Sequence, residues 1–224
     1  MTNMSRRPPI IALDGNHRVG KGTQLDILYE KLMGEGYAPV ILRGDGTRPG
    51  TGSMEGDPVS EWWQNFKQFE AGHANPYEAW RKGACRLLAE AAAWFSKPSV
   101  GGRVFLFDRA GISRAQMTLK EGLPVGVATM YGNPDYVRKL WPDVTIYMAA
   151  STEVLLARLD PSDPKYKFRE NNIITSNPYF NDAYEAYGSL GVGVATEIDA
   201  NAPAGKVAEE IDSIILDIVR KKVI

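Results

Sequence analysis

The stretch "GNHRVGKGTQ", Gly15 to Gln24, lies between the apolar run "PIIALD" (Pro9–Asp14) and a segment with Leu25, Ile27, Leu28 and Leu32 at helical spacing. The first run has the length and composition of a buried strand, and the second reads as an amphipathic helix ending on glycine in "MGEG". A glycine-rich turn between strand and helix is where backbone N–H groups and a helix N-terminus converge on an anion, and Lys21 adds a mobile positive charge. The spelling follows G-x-x-x-x-G-K-[ST] except at its last place, where Gly22 replaces the hydroxyl residue that helps position magnesium. Thr23 restores a hydroxyl one residue later. Gly15, Asn16, His17, Arg18, Val19, Gly20, Lys21, Gly22, Thr23 and Gln24 are therefore the candidate phosphate cradle.

Bulk properties narrow the partners. The chain has 224 residues, 26 basic and 27 acidic, for a net charge of −1. That balance predicts neither a nucleic-acid polymer nor an anionic membrane as partner, so any bound anion must meet a local cluster. The length suits one compact domain over residues 1–224. Cys85 is the one cysteine, which excludes an internal disulfide and a cysteine-rich zinc site and suits a reducing cytosol. The opening "MTNMSRRPP" lacks a signal-peptide core, and no apolar run is long enough to cross a bilayer. The expectation is a cytoplasmic protein without a membrane partner.

Outward from the loop, β-type runs alternate with helical segments. "APVILR" (Ala38–Arg43), "RVFLFD" (Arg103–Asp108), "DVTIYMAA" (Asp143–Ala150) and "VGVATEIDA" (Val192–Ala200) read as four further strands. Helices are expected over Pro76–Phe95, Ser113–Lys120, Pro134–Leu140, Thr152–Leu159 and Pro178–Tyr187, with a closing amphipathic helix in "GKVAEEIDSIILDIVRKK". Strands separated by helices imply parallel crossovers, hence an α/β three-layer sandwich: a five-stranded parallel sheet with helices on both faces. Residues 44–75 are rich in Gly, Pro and Asp and then offer a short helix capped by Ser60, bearing Trp62, Trp63, Phe66 and Phe69. Core or dimer packing explains those aromatics better than base stacking, and the long segment is expected on the substrate side. His73 and Cys85 lack partners that would suggest metal or nucleophile chemistry.

A second constellation is "FLFDRAGISRAQMT", where Asp108 and Arg109 end a strand. Ligands of open parallel sheets bind beyond the carboxyl ends of strands, so Asp108 is expected to orient magnesium waters and Arg109 to reach a phosphate. A local Asp–Arg ion pair is the alternative; Arg43, at another strand end, favours a second phosphate clamp facing Lys21. Two facing clamps describe phosphoryl transfer.

These residues resemble thymidylate kinases, within the nucleoside monophosphate kinases, over nearly the whole chain. Besides the loop, Arg43 matches the family's second-strand arginine, and Asp108-Arg109 its Asp-Arg-Tyr motif, with Ser113 at the family spacing. "WPDVTIYMAASTEVLLARL", "YFNDAYEAYGSL" and "EIDANAPAGKVAEEI" are similar to later family stretches in the same order. The resemblance implies the P-loop fold, transfer of the ATP γ-phosphoryl group to a nucleoside monophosphate, dTMP foremost, with Mg2+, a lid and a homodimer. It assigns Lys21, Arg18, Asp108 and Arg109 to catalysis and Thr23 and Asp108 to the metal. Arg158 and Arg169 go to the ATP side, and Arg43, Arg86, Arg109, Ser113 and Met117 to the acceptor, with Trp80 and Tyr77 as stacking candidates. The lid is expected over Asp160–Asn172, carrying Lys165, Lys167 and Arg169.

Three positions depart from the family. His17 stands where an acidic residue holds the sugar 3′-hydroxyl, Ala110 replaces the motif tyrosine, and Met117 replaces the tyrosine that crowds the 2′ position. Two alternatives follow. "LFDRAGISRA" also resembles the "FFDRSWYNRA" motif of polyphosphate-dependent nucleotide kinases, although that motif expects aromatics at Gly111 and Ile112. Loss of the acidic residue at His17 would also suit a degenerate nucleotide-binding regulator.

Overall fold

A computed structural model of the chain describes residues 7–43, 102–126, 130 and 141–223, with the side chains of Leu42, Arg43 and Val223 left out. The expected substrate-side segment 44–75, the helices over 76–95 and 134–140, and with them Trp62, Trp63, Phe66, Phe69, His73, Tyr77, Trp80, Cys85 and Arg86, lie outside the described residues.

The run read as the first strand forms β1 (Ile10–Asp14), buried at every position. It pairs in parallel with β3 (Arg103–Asp108) on one side and β4 (Val144–Ala149) on the other. Beyond them lie β2 (Ala38–Arg43) and β5 (Val194–Asp199), giving one five-stranded parallel sheet in the order β2-β3-β1-β4-β5. A strand flanked by strands and covered on both faces has no polar side, which is why "IIALD" is continuously apolar until its last residue.

The two faces take different helices. Helix α1 (Lys21–Gly34) buries Leu25, Leu28 and Leu32. The closing helix, α6 (Ala204–Val223), sets Val207, Ile211, Ile215 and Val219 into the same cluster, at intervals of four residues. Ile11, Leu13, Ile146 and Met148 of the sheet complete that layer. On the other face α2 (Gly111–Lys120) packs with α5 (Pro178–Gly188), where Ile112, Ala115, Phe180 and Ala183 meet Trp141, Tyr147 and Tyr187. Trp141 stacks on Tyr187 with ring centroids 5.5 Å apart. The backbone of Gly111 lies so close to the Tyr187 ring that a Cβ there would overlap it. Among the described residues, no helix is long and apolar enough to cross a membrane.

One helix was not foreseen. The segment expected as a lid, Asp160–Asn172, holds turns after α3 (Thr152–Ala157) and then most of an eleven-residue helix, α4 (Tyr166–Ser176). Ile173 is its one buried residue, so it has no apolar stripe for a periodic reading to detect.

The ends of the described chain meet at Asp143, just before β4. Its carboxylate accepts from Arg7 (2.5 Å), from Lys222 of α6 (2.6 Å) and from the backbone N–H of Ile10 (2.9 Å). Removing it orphans a strand-end N–H and two cations at once. Asp143→Ala is expected to lower stability by about 1–3 kcal/mol, read as a lower urea midpoint, with Asp143→Asn losing less.

Candidate functional site

The phosphate-type loop leaves β1 through Gly15, whose φ is +138° and whose Cβ, if present, would lie 2.6 Å from the carbonyl oxygen of Met148. No other residue fits there. Lys21 opens α1 and folds back into the loop, its Nζ donating to the carbonyls of Gly15 (3.0 Å) and Asn16 (2.7 Å). Asn16 braces the loop from below: its amide donates to Asn177 (3.0 Å) and accepts from the N–H of His17 (2.7 Å). Gln24 ties the first turn of α1 to the start of α6 through the Ala204 carbonyl (2.9 Å).

Asp14, fully buried at the end of β1, organises the opposite wall. Its carboxylate accepts from the N–H groups of Gly15 (3.1 Å), Ala110 (2.9 Å) and Ser113 (3.1 Å), and from the Ser113 hydroxyl. These bonds fix the turn from β3 into α2, where Arg109 adopts φ 77°. The Arg109 guanidinium then reaches the Gly15 carbonyl and the Ser113 hydroxyl, both at 3.2 Å. Arg18, on the loop, is the other non-glycine residue with positive φ (62°) among the described residues. Strained backbone of this kind persists only where surrounding contacts over-determine it, and it gathers at functional sites.

Loop and strand ends enclose a cavity of about 490 Å³, within the range of small-molecule sites. One side is His17 to Gln24 with Asp108 and Arg109; the other is Met148, Arg158 and the small residues Ala200, Ala202 and Ala204 with Val207. Arg158 is pinned across that second side, donating to the carbonyls of Val19 (3.3 Å) and Ala200 (2.8 Å). Cations beside small apolar residues, with the planar guanidinium of Arg158 among them, suit a ligand with anionic and flat aromatic parts.

Burial, and then the charge of Arg109, push Lys21 down from 10.5 to about 7, against the pull of Asp108 and Asp14. His17 is pushed down from 6.5 to about 3 by burial and by Arg109, Lys21, Arg169 and Arg18 in turn. It is a neutral imidazole at physiological pH. The cavity thus holds more positive charge than its own acids compensate, the condition of an anion site.

The donor set also fits a magnesium ion of the kind held mainly by ligand phosphates and water. Asp108 Oδ1 is buried and has no hydrogen-bond partner among the described residues, and exposed Thr23 lies in the same wall. No group of three or more His, Cys, Asp or Glu that could hold a metal by itself occurs among the described residues.

Most of the sequence candidates converge here. Gly15 and Asn16 belong to the loop but not to the cavity wall, and Arg169 reaches the site indirectly, sharing Asp163 with Arg18. Ser113 stands behind Arg109, its hydroxyl engaged by Asp14, and neither it nor half-buried Met117 is in the cavity wall. Register sets Arg43 beside Asp108. Its side chain and Arg86 are outside the described residues. Asp14 itself was missed, although a carboxylate closing a wholly apolar strand immediately before a glycine loop is a usable signal.

No protein-family model matches the chain, and no curated protein does. Among solved structures it is similar to thymidylate kinase from Candida albicans, with a TM-score of 0.61 over 99% of this chain and 96% of that one, at 14% sequence identity. This is the P-loop fold. At that identity the likeness carries the architecture, and the site must speak for the chemistry. The structure of the Candida enzyme is described as revealing the origin of its broad substrate specificity.

The lowered Lys21 has a signed consequence. Between about 7 and 10.5 the folded chain sheds this proton while the unfolded chain keeps it, so stability rises with pH across that window. An anion in the cavity favours the charged lysine, so binding takes up a proton there. Affinity for an anionic ligand, with ATP as the probe, is therefore expected to fall as pH rises above about 7, approaching about tenfold per pH unit. Calorimetry in buffers of different ionisation enthalpy would detect the proton, and Lys21→Met should abolish both the uptake and the pH slope of stability.

Proposed function

We propose that this chain is a nucleoside monophosphate kinase that transfers the terminal phosphoryl group of ATP to a (deoxy)nucleoside monophosphate, most of all dTMP. The observation carrying this reading is the convergence of two cations in one cavity: Lys21 of the loop and Arg109 after β3 both donate to the Gly15 carbonyl, beside Asp108 at the end of β3. A single-phosphate binder needs one clamp; transfer between two phosphates needs two.

In the reaction an oxygen of the acceptor monophosphate forms a new P–O bond to the γ-phosphorus, and the bond to the bridging oxygen breaks to release ADP. The ionised acceptor brings no proton that a base must remove, so catalysis is positioning and charge stabilisation. The loop amides and Lys21 hold the donor phosphates, and Arg109, aided by Arg43, orients the acceptor. Arg18 stabilises charge on the moving group, and the slot beside Arg158 takes the donor base. Asp108 and Thr23 would hold Mg2+, which when bound screens the phosphate charges. The reading treats residues 1–224 as one kinase unit, with a lid around 160–172 and an acceptor-side segment at 44–75.

The polyphosphate-type alternative has less support, since its aromatic at position 111 would collide with Tyr187. A degenerate regulator has no use for Lys21, Asp108 and Arg109 together around one cavity. Toward the sugar, neutral His17 offers one acceptor nitrogen in place of a carboxylate, and flexible Met117, outside the described cavity wall, stands where the family has a rigid ring. Both changes favour a relaxed preference between deoxyribose and ribose, in keeping with the broad specificity described for the Candida enzyme.

A coupled assay with ATP against a panel of nucleoside monophosphates is expected to give ADP with dTMP or dUMP, and with ribonucleotides at a penalty below about a thousandfold. In the same assay Arg109→Ala should raise the acceptor KM much more than the ATP KM. The opposite split would exchange the two sides, and ATP binding without turnover on any acceptor would favour the regulator.

His17→Asp is expected to raise kcat/KM for dTMP, because a carboxylate among these cations is both stabilised and a better acceptor for a 3′-hydroxyl. An unchanged or lower value would remove His17 from sugar recognition.

A further inference from the structure

Helix α4 is fastened to the phosphate loop at both ends, and the two fastenings differ in kind. At its C-terminal end Asn177 accepts from Asn16 (3.0 Å) and donates to the Ala150 carbonyl (3.2 Å) and the Thr152 hydroxyl (3.0 Å). Asn16 is only 3% exposed and Asn177 is half-buried, so this joint is largely shielded from water. Before the N-terminal end, Asp163 accepts from Arg18 of the loop (2.9 Å) and, on the same oxygen, from Arg169 of α4. The side chains of Arg18 and Asp163 are 32% and 17% exposed. The joint at one end is neutral and shielded, and the one at the other is a charged, wetted latch.

The latch is built rather than incidental. The second oxygen of Asp163 accepts from the N–H of Lys165 (2.8 Å), its own N–H donates to Asp160 (3.0 Å), and its carbonyl accepts from the N–H of Tyr166 (2.8 Å). Three backbone bonds thus fix where the carboxylate points. Arg18 lines the cavity, and its Nε is buried without a partner among the described residues. Asp163 therefore occupies one edge of the guanidinium and leaves a donor unspent. Arg169 has like charge and would separate from Arg18 without the carboxylate between them. As a source of stability the exposed pair is worth little; its consequence is geometric.

We propose that Asp163 is a positioning residue: held by its backbone bonds and by Arg169 of α4, it sets Arg18 for the transferred phosphoryl group, so that the 160–176 segment and the phosphate loop act as one unit. The role of Arg18 in transfer rests on the kinase reading; the latch itself does not.

The test uses the full chain as wild type, Asp163→Asn, Asp163→Glu, Arg18→Met and the Asp163→Asn/Arg18→Met double variant. Steady-state kinetics are expected to show kcat reduced by about ten- to a hundredfold in Asp163→Asn, with acceptor KM little changed and partial recovery in Asp163→Glu. In the Arg18→Met background the same substitution should cost nothing further, because Asp163 acts through Arg18. Hydrogen exchange with a non-hydrolysable ATP analogue gives a second arm: Asp163→Asn should deprotect amides 163–169 and leave 173–177 unchanged. Wild-type kcat in Asp163→Asn, or an equal loss in both backgrounds, would overturn the positioning role. If no acceptor is phosphorylated at all, the kinase reading fails separately, and unaltered exchange at 163–169 would then overturn the latch.

Discussion

The site depends on one carboxylate held out of water. Asp14 ends the most buried strand of the sheet and finds four donors, three of them backbone N–H groups, on the loop it precedes and on the turn after β3. An ionised group buried in this way is tolerable only when its lone pairs are met, and charge-assisted bonds are the stronger kind. It thereby fixes two strand ends relative to each other. Lys21 reaches its carbonyls because the loop leaves β1 at that angle, and Arg109 meets the Gly15 carbonyl because the β3 turn is held by the same acid. Without Asp14 the two cations would have no shared reference point.

From that point the cavity is a matter of excess charge under restraint. Lys21, Arg109, Arg18 and Arg169 all depress His17, while Asp163 neutralises part of the pair farthest from the sheet. Beside the alanines at 200, 202 and 204 stands a single cation, Arg158, held by the carbonyls of Val19 and Ala200. A molecule with phosphates at one end and a flat ring at the other would lie along this gradient in one direction only. Orientation is therefore imposed before any specific recognition of the base.

What the sequence made legible follows from how each element is stabilised. Strands β1 and β4 and the helices α1 and α6 bury nearly continuous or three- to four-residue-spaced apolar sets, so periodicity finds them, and the Gly15–Thr23 motif is itself a spacing. Asp108 and Arg109 were readable because they end a strand in a parallel sheet. Helix α4 was not, because it is held by polar contacts at Asn177 and Asp163 and not by an apolar face. The position of Asp14, closing an apolar strand before a glycine loop, marks it as unusual, but its partners lie about a hundred positions away and only the fold identifies them. Gly111 is similar: only the Tyr187 ring, from a helix late in the chain, explains why a side chain is excluded there.

The left-handed backbone at Arg18 and Arg109 has a consequence for anyone breeding this protein for robustness. Each arginine costs on the order of 1–2 kcal/mol in a conformation that glycine adopts freely. A library sorted only by survival of heating would enrich glycine at both places, since the backbone would relax and the fold would keep its core. The survivors would be sturdier, having discarded first the two guanidiniums that the chain holds under strain. Selection for heat resistance here must therefore be coupled to a ligand-dependent signal, or it will run against the site.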